Sequence, residues 1–333
     1  MKVLLWGDIQ LDQYKAFSSL LPGGINSRLY DQILVVNQVK NLAKQEKVDA
    51  IIFLGDLINP MGEGLCKPVY NAVFYTASRL AAIAPSYFLV GNHDVYRGVH
   101  VLAALEAIEN CYVVKDTSRI TIAGEDIDLV PWNQPLPDKD NRSKILLGHI
   151  EIAGCQVHVG VPYVGGRNAS DLEGYEYIYL GHFHTRQNIP VRGAKEALYL
   201  GAVMACTFSD TSEPRGAYIF DGSTLEFHPC NSPKFNTQTI SSVEEFSNFI
   251  RTTKGTKDFW RVTIQHPDIK PDPIPGFQFV YDIAPQHQGR MAIEKRETLM
   301  SIIKRFIQEA NWAGDKDEAT KFLEDLGKEA GVF

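Results

Sequence analysis

Five short apolar runs recur along the chain, and each is followed at once by glycine and a residue that can bind a metal ion. The runs occupy residues 3–6, 51–54, 87–90, 145–147 and 177–180. Continuous apolar runs of this length are typical of strands that are buried on both faces. The pattern therefore predicts five buried strands, each of which delivers polar side chains just beyond its carboxyl end.

Segments with helical spacing separate the first three runs. Apolar residues three or four positions apart predict three helices, marked by Leu29, Ile33, Val36 and Ala43, by Val69, Val73, Ala77, Leu80 and Ala81, and by Leu102, Leu105 and Ile108. Alternation of strand and helix predicts a largely parallel sheet. Ligands of such sheets bind at the carboxyl ends of the strands, so the five glycine-containing segments are expected to converge on one site.

The pattern changes twice in the rest of the chain. Short alternating strands from about residue 119 to 227 predict a second sheet packed on the first. After Pro233, a helix capped by Ser242 and a strand at 260–264 predict a small α/β domain. Residues 294–333 predict two amphipathic helices separated by a break at Gly314. The predicted domains are therefore 1–233, 234–285 and 286–333.

Composition excludes several classes of protein. The 333 residues are 44% hydrophobic and 22% charged, as in globular proteins. No apolar segment is long enough for a signal peptide or a membrane span, which predicts a soluble, cytoplasmic protein. The five cysteines contain no C-x-x-C pair, which argues against a disulfide framework or a zinc knuckle. A net charge of −7 argues against binding nucleic acid by a basic surface alone.

Each glycine-containing segment taken alone is typical of a turn or a helix cap. Together, and in this order, they resemble the calcineurin-like metallophosphoesterases. The matching positions are Asp8 and Gln10, then Asp56, then Asn92, His93 and Asp94, then His149, and finally His182 and His184. The resemblance implies an α/β fold, a two-sheet αββα sandwich.

The resemblance also implies two divalent metal ions. The first ion would be held by Asp8, Gln10, Asp56 and His184, and the second by Asp56, Asn92, His149 and His182. Asp56 would then bridge the pair, which clamps the attacking and leaving oxygens of an in-line displacement. The family pattern further implies that His93 lies beside the scissile phosphate and that Asp94 orients its imidazole.

Gln10 departs from the family pattern, because most members carry histidine at this position. An amide oxygen in place of a nitrogen donor favours harder ions, Mn²⁺ or Mg²⁺, over Zn²⁺. We therefore expect activation by Mn²⁺ and poor activity with Zn²⁺. The alternative is that Gln10 points away and water takes the position.

Beyond the metal motifs, the chain resembles the SbcD-type repair exonuclease subunits, and most of all the compact form found in large phages. The stretches that carry this resemblance are 127–132, 198–202, 213–216 and 232–235. It implies a Mn-dependent DNA exonuclease and single-strand endonuclease that acts in recombination and repair as a homodimer with an SMC-like ABC ATPase of the SbcC type. The small domain would cap the site and help to hold DNA, and the C-terminal helices would dock on the ATPase.

Three alternatives stay open at this point. The C-terminal helices could form a hairpin packed on their own domain. The low pI and Gln10 also suit a phosphohydrolase of nucleotide diphosphate derivatives, although that activity leaves the helical tail unexplained. A non-catalytic scaffold is disfavoured, because the other family ligands and His93 are all present.

Overall fold

The computed structural model describes residues 1–59, 66–158, 160–210, 214–283, 298–309 and 314–329. Within this part the chain divides into two compact units, Met1–Asp282 and Ile283–Phe333. The predicted boundary at residue 233 falls inside the first unit, and the division at that point stays a prediction. Glu213, part of one stretch that carries the phage resemblance, lies outside the described residues.

The described strands and helices follow one another in a fixed order along the chain. The strands are β1 (Val3–Trp6), β2 (Ala50–Phe53), β3 (Ser86–Leu89), β4 (Val95–Tyr96), β5 (Val99–His100), β6 (Cys111–Val114), β7 (Ser118–Ile122), β8 (Glu125–Val130), β9 (Ile145–His149), β10 (Gln156–His158), β11 (Val161–Pro162), β12 (Tyr177–Gly181), β13 (Gln187–Asn188), β14 (Glu196–Tyr199), β15 (Gly216–Phe220), β16 (Leu225–Pro229), β17 (Phe235–Ile240), β18 (Phe259–Ile264) and β19 (Phe277–Tyr281). The α-helices are α1 (Ser27–Glu46), α2 (Lys67–Ala81), α3 (Val243–Thr253), α4 (Leu299–Glu309) and α5 (Lys316–Glu329).

Two six-stranded sheets form the centre of the first unit. The first has the order β16-β15-β1-β2-β3-β6, in which β1, β2, β3 and β6 are parallel, as the sequence predicts. The second has the order β13-β14-β12-β9-β8-β7, with a parallel core of β8, β9, β12 and β14. The expectation that residues up to 227 belong to the second sheet is wrong for β15 and β16. These strands return to the first sheet, where β15 pairs antiparallel with β1.

The two faces of the first sheet enter different cores, which explains why its strands are continuously apolar. In β1, Leu4 and Trp6 join the core beneath α1 and α2, whereas Val3 and Leu5 join the core between the sheets. A third core, which includes Tyr175, covers the outer face of the second sheet. The predicted layered sandwich is confirmed. Its last layer consists largely of loops and short 3₁₀ turns such as Ala169–Leu172.

The first two predicted helices are confirmed as α1 and α2. Asn26 caps α1 by accepting a hydrogen bond from the backbone N–H of Leu29, and Pro68 occupies the first turn of α2, where its missing N–H costs nothing. The third predicted helix is wrong. That segment forms only a five-residue 3₁₀ helix, Ala103–Ala107, which follows the β4-β5 hairpin.

A small parallel sheet, β17-β18-β19, carries α3 and has its own core around Ile240, Val262 and Ile264. The predicted cap is present, because the Ser242 side chain accepts a hydrogen bond from the N–H of Glu245. The predicted strand at 260–264 is β18. The C-terminal unit contains the two predicted helices, α4 and α5, joined by an ion pair of 2.6 Å between Lys304 and Glu324.

One buried arginine connects the small sheet to the rest of the first unit. Arg28, on α1, is 4% exposed, and its guanidinium lies 4.8–5.0 Å from the ring centroids of Tyr14, Phe235 and Phe259. It also donates hydrogen bonds to the carbonyls of Ala16 and Cys206. Four separate chain segments, around residues 14–16, 206, 235 and 259, therefore contact one cation. Within the described residues, the helices are all too short or too polar to cross a bilayer.

Candidate metal centre

The predicted site residues lie together where strands of both sheets end. Asp8, Asp56 and Asn92 follow β1, β2 and β3, whereas His149 ends β9 and His182 follows β12. Backbone hydrogen bonds connect the first two loops, from Asp8 N–H to the carbonyl of Gly55 and from Gln10 N–H to that of Asp56, both at 3.0 Å. The predicted convergence of the five segments is therefore what the fold produces.

Three potential ligand atoms of the second predicted ligand set face one another. The Oδ1 atom of Asn92 lies 3.0 Å from Nε2 of His149 and 2.9 Å from Nδ1 of His182, and the two imidazole nitrogens are 3.3 Å apart. The other nitrogen of His149, Nδ1, lies 2.6 Å from the Leu54 carbonyl and so carries a proton. In a neutral His149, Nε2 then presents a lone pair to the other two, and a cation between the three atoms satisfies them all.

The first predicted ligand set is arranged around Gln10 and His184. The Gln10 side chain is 6% exposed, and its amide nitrogen lies 3.1 Å from Nε2 of His184. It therefore faces the site, and metal ligation by it stays a prediction. Asp8 accepts a hydrogen bond from the N–H of His182 through Oδ1. Its Oδ2 atom is buried and, within the described residues, has no hydrogen-bond partner.

The charges at the site also favour a cation. Burial, reinforced by the Asp56 carboxylate, raises the pKa of Asp8 to about 6. Burial alone would lower the pKa of His149, but Asp56 and Asp8 raise it above its ordinary value. Two carboxylates in a buried space repel each other unless positive charge lies between them. Asp56, His149 and His182 present ligand atoms that all lie within 4.8 Å of one another. The donor set thus fits divalent metal ions.

His93 is partly exposed at the site, whereas Asp94 is fully buried. The His93 imidazole is one-third exposed, and its Nε2 lies 4.0 Å from Oδ2 of Asp56. The Asp94 carboxylate is fully buried and accepts hydrogen bonds from the backbone N–H groups of Asp56, Gly91 and the two residues after Asp56. No hydrogen bond within the described residues joins it to the His93 imidazole, in contrast to the expected orienting contact. Asp94 instead fixes the backbone of two ligand loops.

The backbone is strained at several of the predicted ligands. Asp8, Gln10, Asp56 and His182 have positive φ angles of 53°, 47°, 60° and 100°. Residues other than glycine adopt such angles at a cost of about 1–3 kcal/mol each, and they do so mainly at functional sites. The surrounding hydrogen bonds hold the loops in this conformation, which turns the side chains toward one another.

Two of the glycines leave space that the site residues fill. A methyl group on Gly91 would lie 2.2 Å from Oδ1 of Asp56, and one on Gly55 would lie 2.2 Å from Nδ1 of His149. Gly55 also has a φ of +100°, which favours glycine strongly. The glycines that follow β2 and β3 thus allow a neighbouring segment to place its ligand close to the strand end.

Two carboxylates that the sequence reasoning missed contact the last two histidines. Asp210 accepts a hydrogen bond of 3.0 Å from Nδ1 of His184, and Glu151 lies 3.5 Å from Nε2 of His182. In both cases the other ring nitrogen faces the site. Metal-binding histidines commonly have such partners, which set the tautomer and ring orientation. No spacing in the sequence marks Asp210, whereas Glu151 follows His149 by two residues.

The loop that carries Asp210 is itself held in place. The Oδ2 atom of Asp210 accepts hydrogen bonds from the backbone N–H groups of Cys206 and Thr207. Arg215 donates to the backbone carbonyls of both His184 and Asp210. The stretch around Arg215, which carries part of the sequence resemblance, thus fastens this loop to the site.

We expect Asp210→Asn to weaken metal binding by about 10- to 100-fold, the usual effect of losing a carboxylate partner of a ligating histidine. The measurement is a calorimetric titration with Mn²⁺. Asp221→Asn is the matched control, since Asp221 caps a surface turn through Ser223 and Thr224 and should leave the affinity unchanged. An Asp210→Asn protein that binds Mn²⁺ as tightly as the wild type would contradict the assigned role.

Comparisons with known proteins agree with this geometry. The family described as calcineurin-like phosphoesterase matches residues 1–186, which is more than half of the chain. Exonuclease subunit 1 of Enterobacteria phage T4 is 31% identical over 158 residues, which cover 43% of this chain and 45% of the relative. The match thus spans less than half of that relative's length. Putative phosphoesterase 244L of Invertebrate iridescent virus 6 is 24% identical over 235 residues, or 62% of this chain and 78% of the relative.

Two solved structures also align with the chain. The phosphoesterase Yfce from E. coli aligns with 68% of this chain and 91% of its own, at 14% identity and a TM-score of 0.35. A dimetal phosphatase from Danio rerio aligns with 66% of this chain and 91% of its own, at 10% identity and a TM-score of 0.38.

Proposed function

Because the chain belongs to the calcineurin-like phosphoesterase family, we propose that it is a metal-dependent nuclease that hydrolyses DNA phosphodiester bonds. The observation that carries the phosphoesterase part is the convergence of Asn92, His149 and His182 on one point beside Asp56. The nuclease part is supported by the similarity to the phage T4 exonuclease subunit. The proposed activities are those of an exonuclease and a single-strand endonuclease.

We assign the ligands of two divalent ions to the residues that the family pattern marks. Asp8, Gln10, Asp56 and His184 would hold one ion, and Asp56, Asn92, His149 and His182 the other. When bound, the pair supplies Lewis acidity and positive charge for an in-line displacement at phosphorus. Since Asp8 and Asp56 neutralise only half of the charge of two divalent ions, the site attracts a phosphodiester even though the chain carries a net charge of −7.

The chain's own groups supply the remaining roles. The His93 imidazole is one-third exposed beside the site, and its N–H is proposed to donate a hydrogen bond to the leaving oxygen or to the charge that develops on the phosphate. Burial lowers the pKa of His93, so its ring is neutral at physiological pH and retains one N–H donor. Asp94 keeps the His93 loop and the Asp56 loop in register through the backbone.

The wider assembly follows from the same proposal. We assign to residues 234–285 the role of capping the site and helping to hold DNA. The segment 286–333 is assigned to docking on an SbcC-type, SMC-like ABC ATPase. The complex would be a homodimer that acts in recombination and repair in the cytoplasm. The amphipathic helices α4 and α5 support the docking role, because Phe306, Phe322 and Leu326 are about half-exposed or more within their own unit. Their apolar side chains therefore leave a surface on which a partner can pack.

Mn²⁺ is the proposed ion, with Mg²⁺ as the second choice, because Gln10 offers an oxygen in place of a nitrogen donor. We expect Gln10→His to shift the ratio of Zn²⁺- to Mn²⁺-supported activity toward Zn²⁺ by about tenfold or more, as the ligand set becomes more nitrogen-rich. The measurement is phosphodiester hydrolysis in each metal. Gln13→His, three residues further along the same connecting segment, is the matched control. An unchanged ratio in the Gln10 variant would argue that water, not Gln10, completes the coordination.

The test of the proposed function is hydrolysis of linear double-stranded DNA by the purified full chain with Mn²⁺, alone and with its ATPase partner. Release of nucleotides by the wild type but not by His93→Ala supports the nuclease. If DNA stays intact under both conditions while nucleotide diphosphate derivatives are hydrolysed, the enzyme is a small-molecule phosphohydrolase. Absence of metal-dependent turnover on any of these substrates points to a scaffold.

A further inference from the structure

A cavity of about 250 Å³ opens directly beside the metal centre. Its lining includes Trp132, Asn133, Gln134, His149, Glu151 and Arg167. His149 belongs to both the cavity and the proposed ligand set. An occupant of the cavity would therefore lie beside a residue of the proposed metal site.

The wall of the cavity is held by contacts that reach the metal ligands. The Oε1 atom of Glu151 lies 3.5 Å from the indole N–H of Trp132 and 3.5 Å from Nε2 of His182. Its Oε2 atom accepts a hydrogen bond of 2.8 Å from the hydroxyl of Tyr163. The backbone N–H of Trp132 donates to the carbonyl of Val90, at the end of β3. The indole is thereby positioned in relation to the same strand end that presents Asn92.

The charges in the cavity do not favour binding of a further phosphate in addition to the one proposed to bind at the metals. Glu151 contributes one negative charge and Arg167 one positive charge, and the Arg167 guanidinium already donates to the backbone carbonyl of Gln134. No surplus positive charge is then left among the lining residues for an anion. An indole beside side-chain amides suits a neutral, planar group with polar edges.

The size of the cavity narrows the choice further. Pockets for whole small-molecule ligands usually measure about 300–1,000 Å³, so 250 Å³ suits one ring system better than a complete nucleotide. The nucleobase of a nucleotide has this combination of size, neutrality, flatness and polar edges. Its sugar and phosphate would remain outside, on the side of the metals.

We propose that this cavity binds one nucleobase of the strand being cut, on a nucleotide that flanks the scissile phosphate. The base stacks on the indole of Trp132, and its edge meets the amides of Asn133 and Gln134. This inference rests on the proposed nuclease function. A base can enter only after it leaves the duplex stack, so cleavage takes place at frayed ends or in single strands. Stacking tolerates any of the four bases, so little sequence preference follows.

The test uses end-labelled single strands in Mn²⁺, each with one abasic residue at a different position, and maps cleavage at every bond. For wild type, we expect cleavage beside the abasic residue to be about 5- to 150-fold slower than in the intact strand, the range that corresponds to stacking of one base. In Trp132→Ala this ratio should fall toward one, whereas Trp132→Phe, which keeps an aromatic face, should retain most of it.

The outcomes separate the subsite from the function itself. If wild type cuts intact and abasic strands equally well at every bond, the proposed base subsite is wrong, while the nuclease function is supported. A Trp132→Ala protein that loses rate on both strands by the same factor would also overturn the subsite, because Trp132 would then act only through Glu151 and His182. If wild type cuts neither strand but hydrolyses a small phosphodiester, the nuclease function fails, and the base subsite fails with it.

Discussion

Replacing Asp56 with asparagine is expected to reduce phosphodiester hydrolysis by about a thousandfold or more, because this carboxylate is assigned to both metal ions. A metal pair contributes several kcal/mol of transition-state stabilisation, and each 1.36 kcal/mol corresponds to about a factor of ten in rate. The substitution is isosteric, and Oδ1 of the asparagine can still accept the hydrogen bond from His93 N–H. Steady-state hydrolysis and a Mn²⁺ titration measure the two effects together.

The stability of the metal-free protein distinguishes this loss from misfolding. Asp56 lies close enough to Asp8 and Asp94 to raise the pKa of each, after burial, to about 6 and about 7. Removing its charge relieves that repulsion, so the metal-free Asp56→Asn protein should melt no lower than the metal-free wild type. The same change at Asp128 is the matched control. Asp128→Asn removes the charge of the buried carboxylate that pairs with Arg119, so it should lower the melting temperature and leave the turnover rate unchanged. Retained Mn²⁺ affinity in Asp56→Asn would refute the bridging assignment.

The second large effect is expected for His93→Ala, which should lower kcat by about 100- to 10,000-fold, the usual contribution of a positioned proton donor. Metal binding should persist, because the hydrogen bond to Asp56 comes from the backbone N–H of residue 93, whereas the imidazole Nε2 stays 4.0 Å from Oδ2 of Asp56. The measurement combines single-turnover rates at saturating DNA with the metal content of the purified variant.

A histidine outside the predicted site residues provides the control for the His93 experiment. His228 lies on β16 and pairs with Glu226, so His228→Ala should keep both rate and metals. If His93→Ala loses its metals along with its rate, then His93 acts in assembling the centre and its proposed role toward the leaving group is incorrect.

The sequence predicts which strand ends meet, because local and tertiary signals agree at these positions. A buried strand in a parallel sheet must be apolar on both sides, and the chain must turn sharply where it leaves the sheet. Residues 51–56 meet both requirements: residues 51–54 are apolar, and Gly55 and Asp56 form the sharp turn that follows. Since parallel strands end at one edge, the order of the motifs along the chain is enough to predict which side chains meet.

Where the prediction fails, a non-local contact or an ambiguous spacing is the cause. Leu102, Leu105 and Ile108 are spaced by three, a period that a 3₁₀ helix satisfies as well as an α-helix does. The return of β15 to β1 depends on a partner about 200 residues away, which no local pattern in β15 encodes. Asp210 contacts His184 only because the folded loop brings it there. Asp94 carries the family motif, but its contacts lie with the backbone.

The burial of Arg28 has a consequence for how the protein unfolds. Its guanidinium is surrounded by Tyr14, Phe235 and Phe259 and bonded to the carbonyls of Ala16 and Cys206. If the small sheet detached by itself, the buried rings of Phe235 and Phe259 would be exposed to water, and Arg28 would lose two of its three cation–π contacts. Such a partly opened state is unfavourable. The first compact unit should therefore unfold in one cooperative transition, in which the loops of the candidate metal centre and the small sheet lose their structure together.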